Sequence, residues 1–171
     1  MKAEKGFTLV EILIVVVILG ILAAIVIPQF TSASTEAKES ALQSDLQAMR
    51  SQIELFKIHH NDLLPGEEGT GPLNITTATT TARFEAALIS KTDQSGAIGV
   101  LAQHRFGPYM RRVPDNPFSS LSPANTVEVD GTAGGDSHGW HLTTAAGVDR
   151  GLFQADDAGV NQVTSVAHID Y

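Results

Sequence analysis

The residues with the clearest chemical potential stand near the N-terminus, where positions 6–11 read Gly-Phe-Thr-Leu-Val-Glu. Glu11 lies inside an apolar run, 9–27, in which nearly every side chain is Leu, Ile, Val or Ala. A carboxylate inside a membrane helix costs about 3 kcal/mol on insertion scales and is read first as functional. Glu11 is therefore expected to need a partner.

A partner for Glu11 would arise if the chain were cut after Gly6. The new terminus would be the α-amino group of Phe7, a cation at neutral pH that lies one helical turn from Glu11. Within one chain this amine reaches the carboxylate only loosely, because the first turn points the two groups outward at different angles. A neighbouring copy shifted along the helix axis could present its amine directly, so Glu11 is predicted to favour assembly.

The apolar run 9–27 is long enough to cross a membrane, since a helix of about 20 residues spans a hydrocarbon core of roughly 30 Å. Lys2 and Lys5 precede the run, and the positive-inside bias places that end in the cytoplasm. An ordinary secretory signal would carry its small-residue cleavage site after the apolar run. Here the Gly6 step comes before it, so the run is expected to stay on an exported, single-pass protein.

A leader ending in Gly, then Phe-Thr-Leu-Val-Glu, then an apolar helix carrying Pro28 resembles the class III signal of the type IV filament superfamily, the type IV pilins and type II secretion pseudopilins. The resemblance implies that a prepilin peptidase cuts between Gly6 and Phe7 and methylates the Phe7 nitrogen. It also implies that Glu11 pairs with a neighbour's terminus. Further implied partners are an inner-membrane platform protein, an assembly ATPase, minor pseudopilins, a secretin and exported proteins.

Two features make the chain most similar to the major pseudopilin of type II secretion. The sequence has no cysteine, whereas many type IV pilins close their C-terminal region with a disulfide. The proline-rich stretch 107–118 resembles the loop that leads into the sheet of major pseudopilins. A type IV pilin of a surface fibre for adhesion, motility or DNA uptake remains the alternative, and a monomeric membrane-anchored binding domain is a third reading.

Composition excludes several other functions. A chain of 171 residues with a net charge of −8 has room for one modest domain beyond its apolar run. Loss of a leader containing two lysines and one glutamate would bring the side-chain charge to −9, which argues against nucleic acid as a partner. There is no nucleophile motif and no Gly-rich phosphate loop after a strand, so an enzyme is not expected.

Calcium is the only cofactor that the sequence suggests. Asp130, Asp136, Asp156 and Asp157 lie in predicted turns, where carboxylates and carbonyls can supply the six to eight oxygen ligands of Ca²⁺. Resemblance to calcium-binding pseudopilins suggests a site that uses Asp130 and Asp136, although the family's ligand spacing is not matched. The alternative is that these residues only suit turn geometry. His138 and His141 are a poor metal pair, because one falls on a predicted loop and the other on a strand.

The predicted fold class is α+β, a long N-terminal helix packed on a small C-terminal antiparallel sheet, as in type IV pilins. Pro28 is expected to bend or locally melt the helix over 24–28. The predicted organisation is a cleaved leader at 1–6, a membrane and filament-core helix at 7–28, an amphipathic continuation at 29–61, loops and a short helix at 62–124, and a sheet region at 125–171.

Periodicity places the remaining elements. Apolar residues step by three and four through 42–56, which predicts a helix stripe that the downstream domain covers. A short helix is predicted at 83–91, and residues 76–82 are expected to be irregular or to cap it. Trp140 is predicted to pack with Leu142 and Phe153 against Ile53 and Phe56. Alternating runs predict strands at 126–129, 140–143, 151–155 and 162–169.

Overall fold

The computed structural model describes residues 6–71, 75–130, 138–145, 149–157, 159 and 167. The chain divides into two compact units, Met1–Ala37 and Lys38–Tyr171. Its elements are helix α1 (Leu9–His59), strands β1 (Glu68–Gly69) and β2 (Ile75–Thr77), helix α2 (Thr81–Ile89), and strands β3 (Val127–Val129), β4 (Trp140–Leu142) and β5 (Phe153–Ala155). The predicted α+β class with a pilin-like long helix is confirmed.

The C-terminal part of α1 supplies one side of the core in the second unit. Its buried residues recur at steps of three and four, as expected for one face of an amphipathic helix; they are Glu39, Leu42, Leu46, Met49, Ile53 and Phe56. Asn61 and Asp62 follow the helix with positive φ angles of 53° and 65°, a left-handed conformation that Asn and Asp tolerate better than most residues. The Asp62 N–H donates to the Lys57 carbonyl at 2.8 Å and so closes the last turn, where the sequence predicts the helix to end.

The sheet packs its aromatic residues into the same core. Trp140 and Phe153 are fully buried and stack with ring centroids 5.6 Å apart. Both belong to one apolar cluster with Leu142 and Ile53, which confirms that part of the predicted packing. Phe56 packs elsewhere, because its ring stacks on the buried His60 at 3.8 Å between centroids.

Strands β3, β4 and β5 form a sheet in that order, and its pairing is mixed. Strands β4 and β5 are antiparallel, as predicted. Strands β3 and β4 are parallel, so the prediction of a wholly antiparallel sheet was wrong for this pair. The connection 130–139 is longer than the two to five residues of a hairpin loop, and the chain uses it to re-enter the sheet in the same direction. The predicted strand at 162–169 lies outside the described residues except for Ala167.

One short helix and one pair of short strands lie between α1 and the three-stranded sheet in the sequence. Helix α2 begins two residues before its predicted start, because Thr80 caps it by accepting a hydrogen bond from the Arg83 N–H at 3.4 Å. Strands β1 and β2 pair antiparallel with Glu68 opposite Thr77. The sequence predicted a loop and an irregular segment there, since strands of two and three residues are too short to show alternation.

Candidate functional site

The candidate site is the start of α1, where Thr8 and Glu11 form a reciprocal capping box. The Thr8 N–H donates to Glu11 Oε2 at 2.8 Å, and the Thr8 hydroxyl donates to the same oxygen at 2.7 Å. In return the Glu11 N–H lies 3.3 Å from Thr8 Oγ1. These contacts satisfy backbone donors that the first turn of any helix leaves without a helical partner.

Thr8 is the residue that the sequence analysis missed at this site. The available signal was the spacing Thr-x-x-Glu immediately before an apolar run, which is typical of a helix N-terminus. From the sequence, Glu11 is expected to pair with a neighbour's amine. In the structure its carboxylate also accepts two hydrogen bonds from Thr8 of its own chain. A carboxylate bonded in this way is better tolerated in an apolar environment than a bare one.

The apolar segment that follows is open along its whole length in the single chain. Every large apolar side chain from Phe7 to Phe30 is at least 41% exposed, and Phe7 itself is 83% exposed. The helix is long and apolar enough to cross a membrane, and it starts near the N-terminus. A soluble protein rarely exposes so large a continuous apolar surface, so lipid or other protein chains are expected to cover it.

Pro28 lies inside α1 without interrupting it. Helix continues through 24–28, so the predicted local melting does not occur in the isolated chain. A proline has no N–H for the carbonyl four residues earlier. Just after it, three hydroxyls bond back to carbonyls four residues earlier at 3.1–3.2 Å, Thr31 to Ile27, Ser32 to Pro28 and Thr35 to Thr31.

The residues of the calcium hypothesis are only partly described. Asp136 lies outside the described residues. Asp130 directly follows β3 and has a φ of 59°, and its carboxylate accepts the Thr144 N–H at 2.6 Å and the Thr144 hydroxyl. Burial acts to raise the pKa of Asp130, but the hydrogen bonds from Thr144 and the Ala145 N–H outweigh it and hold that pKa below its usual value. Asp130 thus has a turn-closing role in the described structure, and the calcium site remains a prediction.

The other two aspartates of the predicted turns, Asp156 and Asp157, are buried directly after β5. Asp157 accepts a hydrogen bond from the Asn116 side-chain amide at 2.8 Å. Asp156 is 0% exposed and accepts the His138 N–H at 2.9 Å. Both follow β5 directly, as the prediction of a turn beside a strand requires, and both are buried in the folded domain.

Comparisons with known proteins match the N-terminal segment and, more weakly, most of the chain. Residues 1–27 match the prokaryotic N-terminal methylation motif. The chain is 30% identical over 134 residues to type II secretion system core protein G of Klebsiella pneumoniae, which covers 76% of this chain and 83% of that protein. It is 29% identical over 154 residues to the protein of the same name from Aeromonas hydrophila, covering 82% of this chain and 95% of that protein.

A shorter match is to a fimbrial protein of Pseudomonas aeruginosa. The two are 46% identical over 54 residues, which is 32% of this chain and 35% of the fimbrial protein. No solved structure gives a match.

Proposed function

This chain belongs to the family of the type II secretion system core protein G, and from that premise we propose that it is the major structural subunit of a type II secretion filament that drives protein export. The observation that carries this function is the open apolar segment of α1, whose side chains are exposed from Phe7 to Phe30. Lipid would cover this segment before assembly, and the same segments of other copies would cover it afterwards.

Processing creates the assembly-competent subunit in this proposal. A prepilin peptidase cuts between Gly6 and Phe7 and methylates the new Phe7 nitrogen. The match of residues 1–27 to the N-terminal methylation motif supports this step. The Phe7 amine would then stand directly before Thr8, the residue that caps α1.

Assembly would use the part of the Glu11 carboxylate that its own chain leaves available. Among the described residues, both hydrogen bonds to this carboxylate end on Oε2. Oε1 can therefore accept the Phe7 amine of a neighbouring copy while Thr8 keeps its hold on Oε2. Within the water-excluded centre of a filament such a charge-assisted hydrogen bond is strong, and it sets the axial position of one subunit against the next.

Location and the remaining partners follow from the same proposal. The chain is a membrane-anchored subunit with one apolar helix near its N-terminus. Lys2 and Lys5 before that helix favour a cytoplasmic N-terminus, with the acidic domain in the periplasm. A platform protein and an ATPase would extract the subunit from the inner membrane, and minor pseudopilins, a secretin and exported proteins would meet the filament there.

Substitution of Glu11 by Gln tests the pairing with a neighbour's amine, because it removes the charge of Glu11 and keeps its capping role. Gln at this position can still accept the Thr8 N–H, because Glu and Gln are interchangeable in a capping box, but it has no charge for an amine. We expect Glu11→Gln and Glu11→Ala to insert into the membrane at normal levels and to lose filament formation. Sheared filaments would be quantified by immunoblot, and membrane insertion by carbonate extraction.

Glu36→Ala is the matched control, since Glu36 is an exposed acid of the same helix beyond the apolar run. It should assemble normally. Wild-type filament yield from Glu11→Gln would contradict amine pairing and leave the capping box as the only role of this residue. Mass spectrometry should also find a terminus at Phe7 with one added methyl group, and a working protein that begins at Met1 would contradict the proposal as a whole.

A surface-fibre pilin is the second candidate. The match to a fimbrial protein favours it, but that match extends over only 32% of this chain. Long extracellular fibres at native expression, seen by electron microscopy, would support the pilin function over the secretion filament.

A further inference from the structure

Three side chains of types that can bind a metal ion lie close together beside the C-terminal sheet, and they form no recognisable sequence motif. They are Glu128 in β3, His138 two residues before β4, and Asp156 directly after β5. One ligand atom from each lies within 4.8 Å of the other two. The three residues come from separate segments of the chain, so only folding brings an imidazole and two carboxylates together.

Hydrogen bonds fix two of these residues relative to each other. The His138 N–H donates to Asp156 Oδ2 at 2.9 Å, and the Asp156 N–H donates to the Gly139 carbonyl at 3.1 Å. The second bond pairs the backbones of β4 and β5 one residue beyond their strand ends, and the first ties the His138 backbone to the Asp156 side chain. Asp156 is 0% exposed, so its side chain has little freedom to move away.

Close packing around Gly139 also restricts the backbone next to His138. A β-carbon added at Gly139 would lie 1.7 Å from the Ala124 carbonyl oxygen, so the backbone next to His138 packs directly on the segment before β3. The Gly139 carbonyl also accepts the Asn116 side-chain amide at 2.8 Å. Glu128 belongs to the adjacent strand and lies opposite His141 in the parallel pairing. Glu128 thus lies in a paired strand, and His138 and Asp156 lie close to paired residues, so the backbone positions of all three ligands are restrained, as a pre-organised metal site requires.

The chemistry of the set favours a transition metal over calcium. Ca²⁺ takes six to eight oxygen ligands, whereas an imidazole nitrogen suits Zn²⁺ and its neighbours in the first transition series. Zinc sites accept His together with Asp or Glu, in four-coordinate geometry that a water molecule can complete. We propose that Glu128, His138 and Asp156 bind one divalent transition-metal ion of the Zn²⁺ type.

The proposed ion would join the ends of the three-stranded sheet. It would tie β3 to the start of β4 and the end of β5 at one point, and a ligand that binds only the folded state stabilises it by mass action. The site differs from the calcium hypothesis in its residues, in its metal and in its need for a histidine. It also goes beyond the filament function, because it concerns the stability of the exported domain and requires no second copy.

The test uses the full-length chain in detergent micelles. Zn²⁺ affinity would be measured by competition with a chromophoric chelator, and Co²⁺ would replace Zn²⁺ to give visible absorption that reports its ligands. We expect one strongly bound Zn²⁺ per chain and a higher Tm on binding. His138→Gln keeps the backbone N–H that holds Asp156 and should weaken binding by about tenfold or more, since even changes around the ligands of a metal site cost 10–100-fold.

His59→Gln is the matched control, because His59 belongs to the same domain but contacts Tyr109 at 2.9 Å and lies outside the proposed set. It should retain wild-type affinity and the wild-type Co²⁺ spectrum. Glu128→Gln should also weaken binding and serves as the second variant if His138→Gln lowers the folded fraction by circular dichroism. Equal Zn²⁺ affinity in His138→Gln and wild type, or stabilisation by Ca²⁺ alone, would overturn the assignment.

Discussion

At the scale of single residues, Thr8 and Glu11 cap the start of α1, and in the proposed filament Glu11 would also bind the amine of a neighbouring copy. Thr8 holds Glu11 Oε2 with its N–H and its hydroxyl, which fixes where the carboxylate points before any neighbour arrives. In the proposed filament, a neighbour's amine would meet an acceptor that is already oriented, so less conformational entropy would be lost on pairing.

Thr8→Val should loosen the first turn of α1, because valine provides neither the hydroxyl donor nor the capping oxygen. Removal of an N-cap side chain costs about 1 kcal/mol. We expect faster amide hydrogen exchange at Val10, Glu11 and Ile12 in micelles, by roughly fivefold for that free energy. Thr8→Ser is the control and should retain slow exchange. Equal rates in Thr8→Val and wild type would show that the Thr8 hydroxyl contributes nothing to the stability of this turn.

His60 should make the folded domain sensitive to acid. Burial lowers its pKa, and the adjacent His59 also lowers it, against opposing effects of the Phe56 carbonyl and Asp93. Nδ1 lies 2.7 Å from the Phe56 carbonyl oxygen and Nε2 lies 2.8 Å from Thr92 Oγ1. The unfolded state therefore takes up a proton at higher pH than the folded state, near the ordinary histidine pKa of about 6.5.

Neutral, buried His60 contributes fully to stability above the unfolded-state histidine pKa of about 6.5. This contribution is lost as pH falls through the lower pKa that His60 has in the folded state. Tm should fall between pH about 7.5 and about 5 in the wild type, and the fall should be smaller in His60→Gln. Identical pH profiles for the two proteins, measured by differential scanning calorimetry, would contradict this role of His60.

At the scale of elements, a buried ion pair connects segments far apart in sequence. Arg150 Nη2 lies 2.5 Å from Glu67 Oε2, and the side chains are 13% and 3% exposed. The same Glu67 oxygen accepts the Leu64 N–H at 2.7 Å, and Arg150 reaches the Asp62 carbonyl at 3.2 Å. The turn after α1 is thereby fastened to the segment that leads into β5.

Arg150→Ala should be strongly destabilising, because it leaves the Glu67 carboxylate buried without this cation. The expected loss is about 3–5 kcal/mol in the free energy of unfolding, measured by urea denaturation. Arg112→Ala is the matched control, since its ion pair with Asp115 is formed by side chains 70% and 51% exposed and should contribute less than about 1 kcal/mol. Equal losses of unfolding free energy in the two variants would show that burial does not determine how much these ion pairs contribute to stability.

The sequence predicts those elements that show a local pattern, such as a hydrophobic periodicity or a capping motif. The stripe from Leu42 to Phe56 and the start of the helix at the Phe-Thr-Leu-Val-Glu motif are local patterns, and both are found as expected. The parallel pairing of β3 with β4 depends on the path of the chain between them, and the Glu67–Arg150 pair joins positions 83 residues apart. Glu128, His138 and Asp156 likewise have no common spacing, so only the folded chain shows them as a group.

At the scale of the whole molecule, net charge opposes the assembly that the apolar segment favours. Each processed subunit would carry a net side-chain charge of −9, and domains of like net charge repel unless salt screens them. The Glu11–amine contact would lie in a water-excluded core, where screening is weak. Added salt should therefore weaken the repulsion between the acidic domains on the outside of the filament more than it weakens the Glu11–amine attraction in the filament core.

Filament yield from purified, processed subunits should rise between about 0.01 M and about 0.15 M salt, because the Debye length shortens from about 30 Å to about 8 Å. Light scattering would follow assembly, and Glu11→Gln should stay unassembled at every salt concentration. A fall in yield with added salt would indicate that exposed ion pairs between domains, for example through Arg111, dominate the assembly.

The hydroxyls that follow Pro28 bear on how such a fibre responds to force. Thr31, Ser32 and Thr35 each give a carbonyl of α1 a donor in addition to the backbone. A hydroxyl reaches the carbonyl four residues earlier only while the chain is helical, and such bonds slightly destabilise and often bend a helix. Tension that opened the helical ladder here would therefore break these side-chain bonds together with the backbone bonds. We expect α1 to lengthen first at this stretch, where Pro28 already lacks one backbone bond.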